Sequence, residues 1–514
     1  MLCFLNEICT NLISFGSFYA LSGLLLIPIV HVLFIFTFVF LNNTKKYQVI
    51  INQVHAVIIC LPIILSTVLY YAYPITDSIF LPLKQNTVVL LTISWLSTDI
   101  YCLVDSLSIP FILLTSFIMP ICYTYARDVK NSTAYILSFI SIQLFLIVAF
   151  SCWDLLAFFI SFESVLVPMF LIIGYWGANA RKIKAAYYLF LYTLAGSFFI
   201  FFSIIAIKHL YGTSDIALLL NNTTIVIDSW LSRLFWFFFF LGFAVKIPIM
   251  PFHLWLPEAH VEAPTAGSIV LASLLLKLGG YGMLRICVSI FSSASHFFTS
   301  FVHVVSLISI FYAASIALSQ IDIKKVIAYA SISHMNLAVL GIFSNNLYGL
   351  NGAILMMVFH GIVSAGLFYL IGVLYERYHT RIVPYYGGLV QVMPVFSIFF
   401  FILSLANCSF PGTCTFLAEI AILIGIFSQS KVIGMIVAMS GLINTAYSLW
   451  LYNRLIFGQL KTKMAIQFFR DITVPKIQNG FVDVTEFWVL ASLCFFTIWF
   501  GIDLSVWAQL LINK

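Results

Sequence analysis

The sequence predicts an all-α polytopic membrane protein of about fourteen transmembrane helices, with two inverted five-helix repeats carrying discontinuous helices. Composition predicts the membrane. Hydrophobic residues make up 62% and charged residues 8% of the 514, and a soluble domain carries about 25% charged residues. Run length predicts the helices. Apolar runs of about 20 residues, enough to cross hydrocarbon, centre near Val30, Pro62, Leu114, Ile140, Val165, Ile200, Phe240, Leu274, Ile308, Ala330, Val363, Leu405, Gly441 and Ile498. The runs around Phe240 and Leu405 are long and broken by proline, and no soluble domain fits between any two runs.

Basic residues give the third observation. Connections after odd-numbered runs carry Lys45, Lys46, Arg127, Lys130, Arg181, Lys182, Lys184, Lys324, Lys325, Arg377, Arg381, Arg454, Lys461, Lys463, Arg470 and Lys476. Connections after even-numbered runs carry Lys84, Lys208, Arg233, Arg285 and Lys431. Sixteen against five is the positive-inside bias, which turns the odd connections to the negative compartment and both termini to the other side. The net charge of +6 is then a topology signal and excludes a nucleic-acid patch. Met1–Thr10 holds Glu7 and no basic segment, so no cleavable signal is expected there. The 52 phenylalanines point to an AT-rich genome such as an organelle's.

Residues 1–126 take the first three helices, 127–290 the first repeat with helices four to eight, 291–456 the inverted second repeat with helices nine to thirteen, and 457–514 a polar connection and the last helix. The evidence for repetition is a pair of interruptions. VKIPIMPFH at Val245–His253 carries Lys246, and SFPGTCTFLAE at Ser409–Glu419 ends on Glu419. Proline removes a backbone donor, which is tolerated at membrane depth only beside protein or a wetted cavity. The two interruptions fall in the seventh and twelfth runs, and an odd offset reverses the direction of crossing, as inverted repeats require.

Six ionisable residues sit inside apolar runs: Glu163, Lys246, Lys277, His334, His360 and Glu419. A charge there costs at least a few kcal/mol and marks an ion or proton path. A carboxylate–ammonium pair changes proton affinity when its partner moves, and histidine relays protons near neutral pH. His31, His55, His296 and His303 are assigned to packing, and Asp105 to a helix N-terminus or interface. Glu258, His260 and Glu262 lie between Pro257 and Pro264, are placed in a loop, and lack metal-ligand spacing. The ten cysteines form no C-x-x-C pair, so they are assigned to apolar packing, without metal or iron–sulfur clusters. Neither G-x-G-x-x-G nor a P-loop occurs, which removes nucleotide binding.

The run LPEAHVEAPTAGSIVLASLLLKLGGYGMLR at 256–285 resembles the signature of NADH dehydrogenase subunit 4, the NuoM-type, antiporter-like membrane-arm subunits of respiratory complex I. VDSLSIPFILLT at 104–115, FFISFESVLVPMFLIIGYWG at 158–177, AYASISHMNLAVLGIF at 328–343, HGIVSAGLFYLIGVLYERYHTR at 360–381 and PGTCTFLAEI at 411–420 support it. The similarity runs from Val104 to Arg454, and HVEAPTAGS separates this family from subunits 2 and 5 and from Mrp-type cation/proton antiporters. Ser409–Phe410 departs from the family's more usual Ala-Leu.

The resemblance implies a proton-translocating subunit of NADH:ubiquinone oxidoreductase in the mitochondrial inner membrane, or alternatively a bacterial plasma membrane. It implies that Glu163 pairs with Lys246, that Lys277, His334 and His360 lie on a hydrated axis, and that Glu419 is the exit-side group. It implies no cofactor in this chain, with NAD, FMN, iron–sulfur clusters and ubiquinone in partner subunits. Those partners would be subunits of types 2 and 5, accessory subunits, and lipids such as cardiolipin. A stand-alone Mrp-type antiporter and a purely structural spacer are the rival readings.

Overall fold

Hydrocarbon offers a polypeptide no hydrogen-bond partner, so each apolar run closes its own backbone bonds as a helix. The computed structural model describes residues 20–32, 48–72, 88–93, 98–125, 132–221, 230–460, 476–478, 481–483 and 485–503. The helices are α1 Ala20–Val32, α2 Gln48–Ala72, α3 Ser108–Thr124, α4 Ser132–Ser151, α5 Leu155–Trp176, α6 Lys182–Tyr211, α7a Trp230–Lys246, α7b Trp255–Glu262, α8 Thr265–Val288, α9 Ser292–Ser319, α10 Ile323–Ile342, α11 Leu347–Tyr378, α12a Pro394–Asn407, α12b Cys414–Gln429, α13 Lys431–Ile456 and α14 Thr485–Ile502. A helix covers every one of the run centres read from the sequence; Leu405 lies near the end of α12a, just before the second interruption. Among the described residues, nine helices are long and apolar enough to cross a membrane unbroken, and five shorter apolar helices accompany them.

Two elements depart from an all-helical reading. β1 Val88–Ile93 pairs antiparallel with β2 Thr98–Cys102, and β3 Lys476–Gln478 with β4 Phe481–Asp483. Apolar Val88–Ile93 is too short to span, and pairing satisfies its backbone instead.

Burial sorts the helices into a core and a lipid-facing shell. α8 and α11 are buried along their length and α10 nearly so, whereas α6, α13 and α14 expose most of theirs. Leu191, Phe198 and Phe202 of α6 and Val432, Met439 and Leu442 of α13 point outward. Such apolar exposure is stable against lipid tails and unstable against water. Close approach inside the core depends on glycine. A Cβ on Gly279 of α8 would meet the Ile247 amide and the Phe243 carbonyl at 3.2 Å each, and one on Gly352 of α11 would meet the Ile422 amide of α12b at 2.7 Å.

The connections converge as the basic residues require. Asn179 and Arg181 after α5, Gln320 and Asp322 after α9, and His379 and Arg381 after α11 line one polar cleft. Strand-like bridges Cys102–Cys152 and Asp154–Asp215 bring the connections before α3, after α4 and after α6 together elsewhere. Lys45, Lys46, Lys84, Arg127, Lys130, Lys461, Lys463 and Arg470 lie outside the described residues. Arg285 was counted as a connection residue and is not one: it lies in α8 with 1% exposure. Its removal leaves the even side still poorer in basic charge.

Arg285 is held by Asp105, whose Oδ2 accepts from Nη2 at 2.5 Å with 0% exposure. Asp105 does cap α3, since its Oδ1 accepts from the Ser108 amide at 2.9 Å, yet it is buried rather than interfacial. Tyr281 Oη accepts from Arg285 Nε at 3.2 Å and donates to the Phe150 carbonyl at 2.9 Å, and the guanidinium lies 4.5 Å over the Trp153 ring. This network fastens α8 to the start of α3 and the end of α4. Breaking one side of a buried ion pair costs about 3–5 kcal/mol, because the surviving charge stays enclosed. Arg285→Met should therefore lower the temperature at which the assembled protein inactivates. Asp105→Asn combined with Arg285→Met should recover most of that loss, and equal damage from the single and double variants would contradict the account.

Candidate functional site

Lys277 stands at the centre of α8, and the helix around it is not regular. Leu271–Leu275 and Met283–Val288 are π-helical, on either side of the α-helical turn Leu276–Gly282. Wider turns loosen the ordinary backbone bonding and occur where a side chain must take its place. Here the Lys277 Nζ donates to the Ala272 carbonyl at 2.6 Å. It also lies 3.0 Å from His360 Nδ1 on α11. The His360 ring is 5.6 Å, centroid to centroid, from the His334 ring on α10. All three side chains are at most 2% exposed. No carboxylate lies within ion-pair distance of Lys277 among the described residues. Two bases 3.0 Å apart share one proton readily but cannot both stay charged there without a repulsion of several kcal/mol.

Lys246 ends α7a at the first interruption and is 4% exposed. Pro248 and Pro251 end the helix there, and the freed backbone finds other partners. The Trp255 indole donates to the Val245 carbonyl at 2.9 Å, and the Met250 amide donates to Ser309 Oγ at 2.9 Å. Glu163, half-buried on α5, interacts electrostatically with Lys246. The resemblance led us to expect a contact pair; instead the Lys246 Nζ donates to the Phe162 carbonyl at 2.6 Å and lies 3.2 Å from the Phe162 ring centroid. The Glu163 carboxylate accepts a hydrogen bond from the Ser197 side chain of α6. The two charges thus interact electrostatically without an ion-pair contact.

Glu419 is half-buried on α12b beyond the second interruption. Ser409 at φ 54° and Gly412 at φ 92° turn the chain there, the left-handed conformation that ends helices. Thr415 Oγ1 donates to the freed Ala406 carbonyl at 2.5 Å. Between His334 and Glu419 lie two groups the sequence did not single out. Asn407, the last residue of α12a, neighbours His334, and Tyr447 of α13 interacts with Asn407, Ser333 and Glu419. His334 is hydrogen-bonded to Asn407, Tyr447 to Asn407 and Ser333, and Glu419 to Ser409. Buried polar atoms are almost always satisfied by protein or by ordered water.

The six residues thus divide into a central group, Lys277–His360–His334, the interacting Glu163 and Lys246, and Glu419 beyond the second interruption. Tyr447 and Asn407 carry no charge and sit on runs that read only as apolar, so no sequence signal separated them from packing residues. The segment with Glu258, His260 and Glu262 is the helix α7b rather than a loop, because Pro257 falls in its first turn, where no backbone donor is needed. Glu258 Oε1 accepts from Lys325 Nζ at 3.0 Å, and His260 stacks on Phe368 at 4.5 Å between ring centroids.

A family profile described as "NADH:quinone oxidoreductase/Mrp antiporter, TM" matches residues 152–444. The NADH-ubiquinone oxidoreductase chain 4 of Chondrus crispus is 46% identical over 404 residues, 78% of this chain and 79% of that one. The chain 4 of Arabidopsis thaliana is 43% identical over 450 residues, 86% and 88% of the two chains. A chain of the respiratory complex I from Thermus thermophilus with bound NADH superposes with a TM-score of 0.80, covering 96% of this chain and 97% of that chain at 23% identity. That last likeness shows the fold, and the identities above 40% over most of both chains show the descent: this chain belongs to the NADH-ubiquinone oxidoreductase chain 4 family.

Proposed function

We propose that this chain is the subunit of the mitochondrial NADH:ubiquinone oxidoreductase that carries protons across the inner membrane along Glu163, Lys246, Lys277, His360, His334 and Glu419. The observation that carries the reading is the 3.0 Å contact of Lys277 with His360, next to His334, inside helices buried along their length between the two interruptions. Quinone reduction in partner subunits supplies the work. NAD, FMN, iron–sulfur clusters and ubiquinone belong to those partners, and subunits of types 2 and 5, accessory subunits and cardiolipin adjoin this one. Residues 127–290 and 291–456 act as the two inverted repeats, with one interruption each. The odd connections, including the cleft between Arg181 and Arg381, face the matrix, and both termini face the intermembrane space.

The mechanism follows from the contacts. When Glu163 approaches Lys246 the ammonium is stabilised, and when they part that stabilisation is lost. The proton then moves toward the Lys277–His360 pair, where only one charge is tolerated, and on through His334 and the Asn407–Tyr447 bridge to Glu419. Moving one charge against about 180 mV takes roughly 4 kcal/mol, the scale of a change of a few pKa units.

Two outcomes test this in the assembled enzyme. Glu163→Ala or Lys246→Ala should abolish proton pumping driven by NADH while leaving the complex assembled, so full stoichiometry in either variant removes these residues from the path. His360→Leu deletes a hydrogen bond to a charged group, worth about 1.5–3 kcal/mol. Turnover coupled to pumping should fall about ten- to hundredfold, at 1.4 kcal/mol per factor of ten. Cation-dependent proton flux in the absence of NADH would instead favour an antiporter acting alone.

A further inference from the structure

Cys102 and Cys152 are 50 residues apart in sequence, yet their Sγ atoms are 3.6 Å apart. They are 0% and 1% exposed. The backbone makes this meeting. Cys102 ends β2 and Cys152 follows α4, and the two form an antiparallel bridge. The Leu103 amide donates to the Ser151 carbonyl at 2.8 Å, and the Trp153 amide to the Tyr101 carbonyl at 3.3 Å. Those two bonds flank the cysteines, which makes them a non-hydrogen-bonded pair of an antiparallel ladder. Residues so placed have Cα atoms about 4.5 Å apart, inside the roughly 4.4–6.8 Å that a disulfide needs. Closing the sulfurs therefore asks for side-chain rotation and little backbone movement. None of the other described cysteines has another sulfur as a recorded partner.

We propose that Cys102 and Cys152 are a redox-convertible dithiol, oxidised by hydrogen peroxide to a disulfide that staples β2 to the end of α4. One thiol, as its thiolate, attacks the peroxide oxygen, expels water and becomes a sulfenic acid. The second sulfur attacks the first, the Sγ–Sγ bond forms and a second water leaves. Two thiols and one peroxide thus give one disulfide and two waters. A small dithiol reverses the step by exchange. Burial selects the oxidant, because peroxide is small enough to reach enclosed sulfurs that a protein oxidoreductase cannot touch.

The position gives the bond a consequence. Asp105 lies three residues beyond Cys102, Trp153 directly follows Cys152, and both side chains contact the Arg285 guanidinium from the two segments that the bridge joins. A covalent link between those segments opposes their separation and so protects the buried ion pair.

The test uses the purified, assembled complex. It is treated with hydrogen peroxide, denatured, blocked with N-ethylmaleimide, digested and analysed by mass spectrometry. The expected result is a cross-linked peptide pair joining positions 102 and 152, the loss of both from the alkylated pool, and their return after dithiothreitol. Full alkylation of both after peroxide, or sulfinic acid at either without a cross-link, overturns the proposal. Cys152→Ser should leave Cys102 without a cross-link after the same treatment, and a cross-link from Cys102 to any other cysteine in that variant overturns it too. The unmutated complex decides the question by itself if the variant does not assemble.

Discussion

The contact between Lys277 Nζ and His360 Nδ1 at 3.0 Å joins two bases where no water bath screens them. An ammonium enclosed in protein is stabilised by a carboxylate, by carbonyl dipoles or by a second base willing to share its proton. Lys277 has the second and third of these, in the Ala272 carbonyl and the His360 ring. A carboxylate in contact would hold the proton fast. Much of the surrounding structure is arranged to make this choice possible: π-helical turns that offer a carbonyl, a glycine that brings α8 against α7a, and a helix pair buried along its length.

Interrupting a helix inside a membrane exposes backbone groups that hydrocarbon cannot satisfy, and each of the two interruptions solves this with side chains. At the first, Trp255 and Ser309 take the Val245 carbonyl and the Met250 amide. At the second, Thr415 takes the Ala406 carbonyl. Side chains take over from the interrupted backbone bonding at both places. Each interruption also has an ionisable residue nearby, Lys246 or Glu419, so loosened backbone polarity and titratable side chains occur together.

Much of the fold was legible because hydropathy and basic charge are local or periodic signals. Each apolar run became a helix because lipid leaves the backbone no alternative, and three odd connections meet at one cleft because chain direction alternates. What was not legible depends on contacts between distant segments. Asp105 and Arg285 are 180 residues apart, and Arg285 read as a connection residue because a lone arginine near the end of an apolar run gives no sign of its partner. Cys102 and Cys152 meet through a bridge between the end of β2 and the segment after α4, 50 residues on. Within the site, the ionisable members stood out against hydrocarbon, whereas Asn407 and Tyr447 did not. Neutral hydroxyls and amides can hydrogen-bond to titrating groups, but a tyrosine in an aromatic-rich chain carries no distinguishing mark.

The choice between arginine and lysine at the buried positions sorts structural charges from movable ones. A guanidinium keeps its proton under all ordinary conditions, so Arg285, fixed to Asp105 and Tyr281, can fasten helices but cannot carry protons onward. Lysine releases its proton when its surroundings change. The lysines enclosed here, Lys246, Lys277 and Lys324, are bonded to carbonyls, a hydroxyl or a histidine, and none is in direct contact with a carboxylate among the described residues. Lys324 donates to the Ala263 carbonyl and to Ser268 Oγ, at the join between α7b and α8. Chemistry, and not burial alone, separates the path from the scaffold that holds it.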